Sequence, residues 1–347
     1  MYQRHTLRSA RRALAVLVGA IAIALASSAT SAQARTRTPS KANAAAQAVD
    51  FDAFNNAQDT PLLKIGSRGP AVVRAQILLD RAWFSSGEID GRFASNMQRI
   101  VKAYQSARGL KPTGSVTPET WESLREAGGA VLTRYTVAEK DAAGPFARVP
   151  TDPEARSQLK AMPYESLEEA LAERFHTSPA YLKQINPGKR IGAGSEVVVP
   201  NVLDEKPPVN AASIEIAKQA RVLYVLDAGK RPLAAFPISI GNENSDPLPI
   251  GVMSIKNEVK NPSFTYDPAL LKNQPKGAQK MELPPGPNNP IGSTWLGLSK
   301  PHWGIHGTAV PSNVGHSETN GCIHLTNWDA ERVSLLVKAG FKVDVRP

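Results

Sequence analysis

Apolar residues change their period twice along the chain, so no single repeating architecture can hold all of it. From Leu62 they recur at helical spacing: Val72, Val73, Ile77 and Leu78, then Ile100, Val101 and Tyr104, then Trp121 and Leu124. Pro70 and Thr117-Pro118 suit helix starts, and Asp90-Gly91 a turn. Next comes a mixed stretch. Tyr135-Thr136-Val137 reads as a short strand, Leu167 to Phe175 and Tyr181 to Ile185 as two helices, and Val197-Val198-Val199 as a closing strand. From Ile214 the runs are of strand length, through Val222 to Val225, Phe236 to Ile240, Val252 to Ile255 and Ile305. One late helix is expected over about 329–339, with a final strand from Phe341 to Val345. The 347 residues leave room for two or three domains.

The amino terminus is of another kind. Arg4, Arg8, Arg11 and Arg12 precede an unbroken small and apolar run, Ala13 to Ala26, and then Ala32-Gln33-Ala34. That order reads as a secretory signal peptide over 1–34, too short for a bilayer span. No stable membrane span is expected after cleavage. Residues 35–58, rich in Ala, Gln, Asn, Ser and Thr, read as a flexible linker, with Phe51 and Phe54 able to dock. Cleavage removes four of the 41 basic residues and no acid, so the formal charge of +10 becomes +6. An exported basic protein suits an anionic polymer such as cell wall. No basic run interleaved with aromatics points to nucleic acid.

Cys322 is the one cysteine, which excludes an internal disulfide, a CxxC pair and a multi-cysteine metal site. Acyl transfer by a thiol needs a base to ionise it and N–H groups to hold the developing oxyanion. Sixteen residues before Cys322 stands His306, followed by Gly307 and Thr308, and Gly321 directly precedes the thiol. Glycine there permits close backbone approach by a substrate carbonyl. Taken singly, a lone cysteine or histidine would more often be core. His302, His306 and His316 have no HExxH pattern, so neither metal nor cofactor is expected. Trp295, Trp303 and Trp328 are candidates to line a substrate groove, with core packing the first reading for each.

Three resemblances sharpen this. Leu63 to Pro70, Ile89-Asp90-Gly91-Arg92-Phe93, Tyr104-Gln105, Gly109-Leu110 and Thr113-Gly114 resemble the three-helix peptidoglycan-binding domain. The strand–helix–helix–strand segment, with Asn186-Pro187-Gly188, looks like a LysM module carrying an insertion at about 138–163. His306-Gly307-Thr308 followed by Gly321-Cys322-Ile323 resembles the L,D-transpeptidase (YkuD-type) catalytic domain. Phe236 to Gly241, Pro249 to Met253, Lys260-Asn261-Pro262 and Gly286 to Gly292 support it. The implied architecture is multidomain: a three-helix bundle over 59–128, a small α+β LysM-like module over 129–203, and a mostly β catalytic domain over 204–347.

The last resemblance implies Cys322 as nucleophile and His306 as base. The Gly307 carbonyl would orient the imidazole, and the N–H groups of Gly321 and Cys322 would face the oxyanion. Donors would be peptidoglycan stem peptides that lose D-alanine, and the acceptor a stem amine or an envelope protein. His324, Asn320, Thr308 and Trp303 are candidate substrate contacts. Two residues depart from the family pattern, Asn320 where histidine is common and His324 where arginine is usual. At His324 a substrate carboxylate would be held weakly and in a pH-dependent way. A hydrolase of the same fold (carboxypeptidase or amidase) and a non-catalytic wall-binding protein are the rival expectations. The expected location is the periplasm, against the wall.

Overall fold

The computed structural model describes residues 49–203, 205–241, 247–269, 277, 279–319 and 321–347. The expected signal peptide and residues 35–48 of the expected linker lie outside them, as does Asn320. Helices α1 (Phe51–Asn56), α2 (Pro70–Arg81), α3 (Ser95–Ala107) and α4 (Pro118–Arg125) form the first module. Pro70 and Pro118 sit in the first turns of α2 and α4, where a missing N–H costs nothing. Val72, Val73, Ile77, Ile100, Val101, Tyr104 and Trp121 make the core that the helical spacing implied. Residues 49–58 depart from the expected linker. Two phenylalanines give this stretch an apolar stripe, and α1 packs Phe54 into that core while Asn55 Oδ1 accepts from the Val131 and Leu132 N–H groups.

The second module pairs β1 (Leu132–Thr136) with β2 (Glu196–Pro200), antiparallel, Leu132 opposite Pro200. Between them lie α5 (Glu139–Ala142), α6 (Pro153–Ser157), α7 (Leu167–Arg174) and α8 (Pro179–Ile185). Ser166 and Ser178 cap the last two by accepting the N–H of Glu169 and Tyr181. Leu171, Phe175, Leu182, Val197 and Val199 fill a small core. The insertion is not spare chain. Met162, fully buried, packs on Tyr266 and Leu283 of the third module, and its N–H donates to the Pro285 carbonyl at 2.8 Å.

The third module contains β3 (Ser213–Ala217), β4 (Val222–Leu226), β5 (Pro232–Pro237), β6 (Ile240–Gly241), β7 (Gly251–Lys260), β8 (Phe264–Tyr266) and β9 (Met281–Leu283). It continues with β10 (Thr294–Leu298), β11 (Gly304–His306), β12 (Glu318–Thr319), β13 (Ile323–His324), α9 (Asn327–Leu336) and β14 (Lys342–Arg346). Eight strands form one sheet in the order β13-β11-β10-β7-β14-β3-β4-β5, β11 and β13 parallel at one edge. Thr326 caps α9 by accepting from the Asp329 N–H, so the helix starts two residues before its expected start and ends three before its expected end.

The modules are interlocked rather than strung. The Ser85 N–H donates to the Ala235 carbonyl and the Ala235 N–H to the Trp83 carbonyl, each at 3.0 Å, so chain from the first module covers the β5 edge. The three meet at Asp80 of α2, almost wholly buried. His176, after α7, puts Nδ1 3.0 Å from one Asp80 oxygen, and Arg332 of α9 puts Nη2 2.9 Å from the same atom. Desolvation alone would raise the Asp80 pKa, yet Arg332 and His176 together hold it below its ordinary value.

Two other buried carboxyls lie the other way. Burial raises Glu173 to about 8 and Asp329 to about 7, the latter helped by Asp80. A raised carboxyl keeps its proton in the folded state, so its stabilisation is complete below the unfolded pKa and is lost as pH rises through 7–8. Asp80, depressed, acts oppositely, its stabilisation lost as pH falls. Thermal melts should therefore decline from mildly acidic pH towards pH 9, and Glu173→Gln with Asp329→Asn should flatten the decline. Asp80→Ala strands the Arg332 cation and should cost about 3–5 kcal/mol by chemical denaturation at pH 6.

Candidate active site

The edge strand β13 and its neighbour β11 bring the two sequence-marked histidines together. Their parallel register sets Ile305 beside Ile323 and His306 beside His324. Cys322 directly precedes β13, two residues before His324. The two imidazoles lie 4.2 Å apart, centroid to centroid, at 52°. Cys322 is partly buried, and its Sγ lies 3.4 Å from the His302 carbonyl oxygen, to which the thiol donates.

His306 is 1% exposed, and its Nδ1 lies 2.7 Å from the Gly307 carbonyl oxygen. A carbonyl only accepts, so Nδ1 carries the proton and Nε2 keeps its lone pair for a proton from elsewhere. Burial lowers the His306 pKa to about 4, the Gly307 carbonyl pulling weakly the other way. The imidazole is therefore neutral through the physiological range.

Two further contacts fix this ring, and neither residue was singled out for it in the sequence. Trp295 faces His306 across the β10–β11 pair and stacks on it at 5.4 Å and 19°. Gly304 makes the room, since a Cβ there would collide with the Trp295 ring. Asn327, first residue of α9, lies against Gly307 and Gly292, where a Cβ at either glycine would collide with its carboxamide oxygen. Its Nδ2 donates to Glu173 of α7 at 2.9 Å and to the Pro287 carbonyl at 3.1 Å, and its Oδ1 accepts from the Ser293 N–H at 3.2 Å. The turn that orients His306 is thus tied to the second module. Gly292 also lies directly against Gly307, whose backbone a Cβ at Gly292 would meet.

The remaining candidates are placed less centrally. Gly321 is buried with φ +123, a conformation that strains any residue with a Cβ. His324 differs from the expected carboxylate contact. Its ring turns onto His306, and desolvation, with His306 beside it, pushes its pKa well below the ordinary imidazole value. A lowered pKa favours the neutral ring, which lacks the charge to hold a carboxylate. Thr308 Oγ1 accepts from the Val310 N–H at 3.2 Å, shaping the turn after His306. Trp303 packs partly buried against the third module's core, with Lys300 Nζ 5.7 Å from its ring centroid.

Residues 211–345 match the family model described as "L,D-transpeptidase catalytic domain", and residues 68–124 the one described as "Putative peptidoglycan binding domain". The chain is 28% identical over 189 residues to "Putative L,D-transpeptidase YkuD" of Bacillus licheniformis, covering 53% of this chain and 96% of that one. It is 31% identical over 189 residues to "Probable L,D-transpeptidase YcfS" of Escherichia coli, covering 51% and 58%. A solved L,D-transpeptidase (residues 123–326) from Xylanimonas cellulosilytica aligns with TM-score 0.37 at 15% identity, over 84% of this chain and 98% of that one.

The buried imidazole is directly measurable. A folded-state pKa depressed from about 6.5 to about 4 stabilises the fold above the unfolded value, and that stabilisation is lost as pH falls through 4. NMR titration of the His306 ring should show a neutral Nδ1–H tautomer down to pH 5. Gly304→Ala should displace Trp295 and move that pKa back towards 6.5 while the sheet stays folded.

Proposed function

We propose that the L,D-transpeptidase catalytic domain at residues 211–345 acts as a cysteine acyltransferase on peptidoglycan stem peptides, with Cys322 as nucleophile and His306 as base. The observation that carries this is the 2.7 Å contact from His306 Nδ1 to the Gly307 carbonyl. It keeps the Nε2 lone pair available for the thiol proton.

His306 is neutral at rest. An ordinary thiol has a pKa of about 8.5, and a base near 4 does not ionise it in advance. Proton transfer therefore accompanies attack. Sγ bonds to the donor carbonyl at the L-centre of the diaminoacyl residue as Nε2 takes the thiol proton. The N–H groups of Gly321 and Cys322 receive the oxyanion. Collapse breaks the C–N bond, and the imidazolium, made strongly acidic by burial, returns its proton to the departing D-alanine amine. An acceptor amine then attacks the thioester, a new C–N bond replaces C–S, and the Cys322 thiol re-forms through His306. Trp303 and Thr308 flank this path as substrate contacts, with Asn320 beside Gly321 in sequence.

The rest of the chain fits work on the wall. The peptidoglycan-binding domain at 68–124 and the LysM-like strand–helix–helix–strand module bring the polymer to the site. Among the described residues no helix is long and apolar enough to cross a membrane. Export by a signal peptide at 1–34, a periplasmic location and an envelope protein as alternative acceptor belong to the same proposal.

Purified protein incubated with sacculi and analysed by muropeptide mass spectrometry tests it. The expected products are 3→3 cross-linked dimers or protein-linked stems. Tripeptides alone would replace transfer by hydrolysis, and unchanged muropeptides would leave wall binding without catalysis. Cys322→Ala should erase the products, and His306→Ala should lower kcat by about 10²- to 10⁴-fold.

A further inference from the structure

The turn that delivers Cys322 is held from outside its own module. After a short 3-10 turn, Pro311–Asn313, the chain passes through Val314, Gly315, His316 and Ser317 to β12 and then the cysteine. Its carbonyl groups accept from a set of distant side chains. Asn96 Nδ2 of α3 donates to the Val314 carbonyl at 2.8 Å, and Arg99 Nη1, one turn on, to the Gly315 carbonyl at 3.3 Å. Ser239 Oγ donates to the Asn313 carbonyl at 3.1 Å and Arg221 Nη1 to the Ser317 carbonyl at 3.3 Å.

The fit at Asn96 is close. The residue is 7% exposed, and its Oδ1 accepts from Arg99 Nη1 at 3.1 Å. Gly315 has φ +79, and a Cβ there would collide with the Asn96 carboxamide. On the far side of the cysteine, Ser239 exchanges backbone hydrogen bonds with His324 at 3.0 and 2.8 Å. Ser239 Oγ also accepts from the Gly315 N–H at 3.0 Å. Cys322 therefore lies between two anchors. One is the Ser239–His324 ladder within its own module, and the other is the Asn96–Arg99 grip from the first module. Gly315 and Gly321 are both at positive φ, and between them Glu318 and Thr319 of β12 pair in parallel with Ile240 and Gly241 of β6.

We propose that Asn96 and Arg99 of the helical module are positioning residues for the Cys322 segment, so that the peptidoglycan-binding domain is a structural part of the active site. This rests on Cys322 being the nucleophile. The backbone N–H groups of Gly321 and Cys322, assigned to the oxyanion, are set by where the preceding turn is held. Loss of the grip lets the turn drift from the sheet, which harms the chemical step more than substrate binding.

The single cysteine makes the test selective, because iodoacetamide alkylation of the full-length protein then reports on Cys322 alone. Alkylation rates from pH 6 to 9.5, donor kcat and KM, and thermal melts are compared for the parent, Asn96→Ala, Arg99→Ala and Arg99→Lys. The expected result for Asn96→Ala is kcat down about 10-fold or more with KM within about 2-fold. Its alkylation profile shifts, while its melting temperature stays close to the parent's. Arg99→Ala shifts both readouts in the same direction, and Arg99→Lys, which keeps a donor, restores them in part. If Asn96→Ala fails to fold, the Arg99 pair carries the test. Parental kcat and alkylation profiles in folded Asn96→Ala or Arg99→Ala would overturn the proposal. A parent that turns over no donor, combined with shifted alkylation in the variants, would sink the acyltransferase reading and leave the positioning role standing.

Discussion

Everything in this molecule hangs on one buried carboxylate. Asp80 is contributed by the first module, His176 by the second and Arg332 by the third, and all three are nearly excluded from water. An isolated charge at that depth would be untenable, so none of the three modules can present its partner without the other two. The surrounding rings follow the same logic. His176 stacks on Trp328 at 5.6 Å, and the Arg332 guanidinium lies 5.1 Å from the Trp83 ring centroid. Apolar burial supplies the bulk of the stability, while this junction dictates how the modules are oriented.

From that orientation the site acquires two intermodular supports. Asn327 joins Glu173 of the second module to the glycine turn that aims His306, and Asn96 joins the first module to the turn that leads to Cys322. Under the proposed mechanism, base and nucleophile are each braced by a different module. Burial does the remaining electrostatic work. It keeps His306 neutral at rest and makes its imidazolium a strong acid once formed, the property needed to expel an amine. Two neutral imidazoles can share an enclosed edge of the sheet, where two cations could not.

What was legible in the sequence was local. The helical spacing of Val72, Ile77, Ile100 and Trp121 and the strand runs from Ile214 onward lie where their periods implied. His306, Gly321 and Cys322 follow from what acyl transfer by a thiol needs, and Gly307 from the resemblance to the L,D-transpeptidase catalytic domain. What was not legible depended on contacts across long stretches of chain. Asn96 and Val314 are 218 residues apart, and nothing in either neighbourhood announces the other. Trp295 reads as core until the β10–β11 register sets it on His306. The contact between the His324 and His306 rings needs the β11–β13 register, and Phe51 and Phe54 gave the only hint that the linker ends in a docked helix.

The central claim is that Cys322 carries the acyl group. Intact-protein mass spectrometry after mixing the full chain with a tetrapeptide donor, without acceptor amine, tests it most directly. The account predicts an adduct equal to the donor less D-alanine, mapped to Cys322 and discharged on addition of an amine. Turnover of the donor with no adduct at Cys322, or an adduct at any other residue, would contradict it.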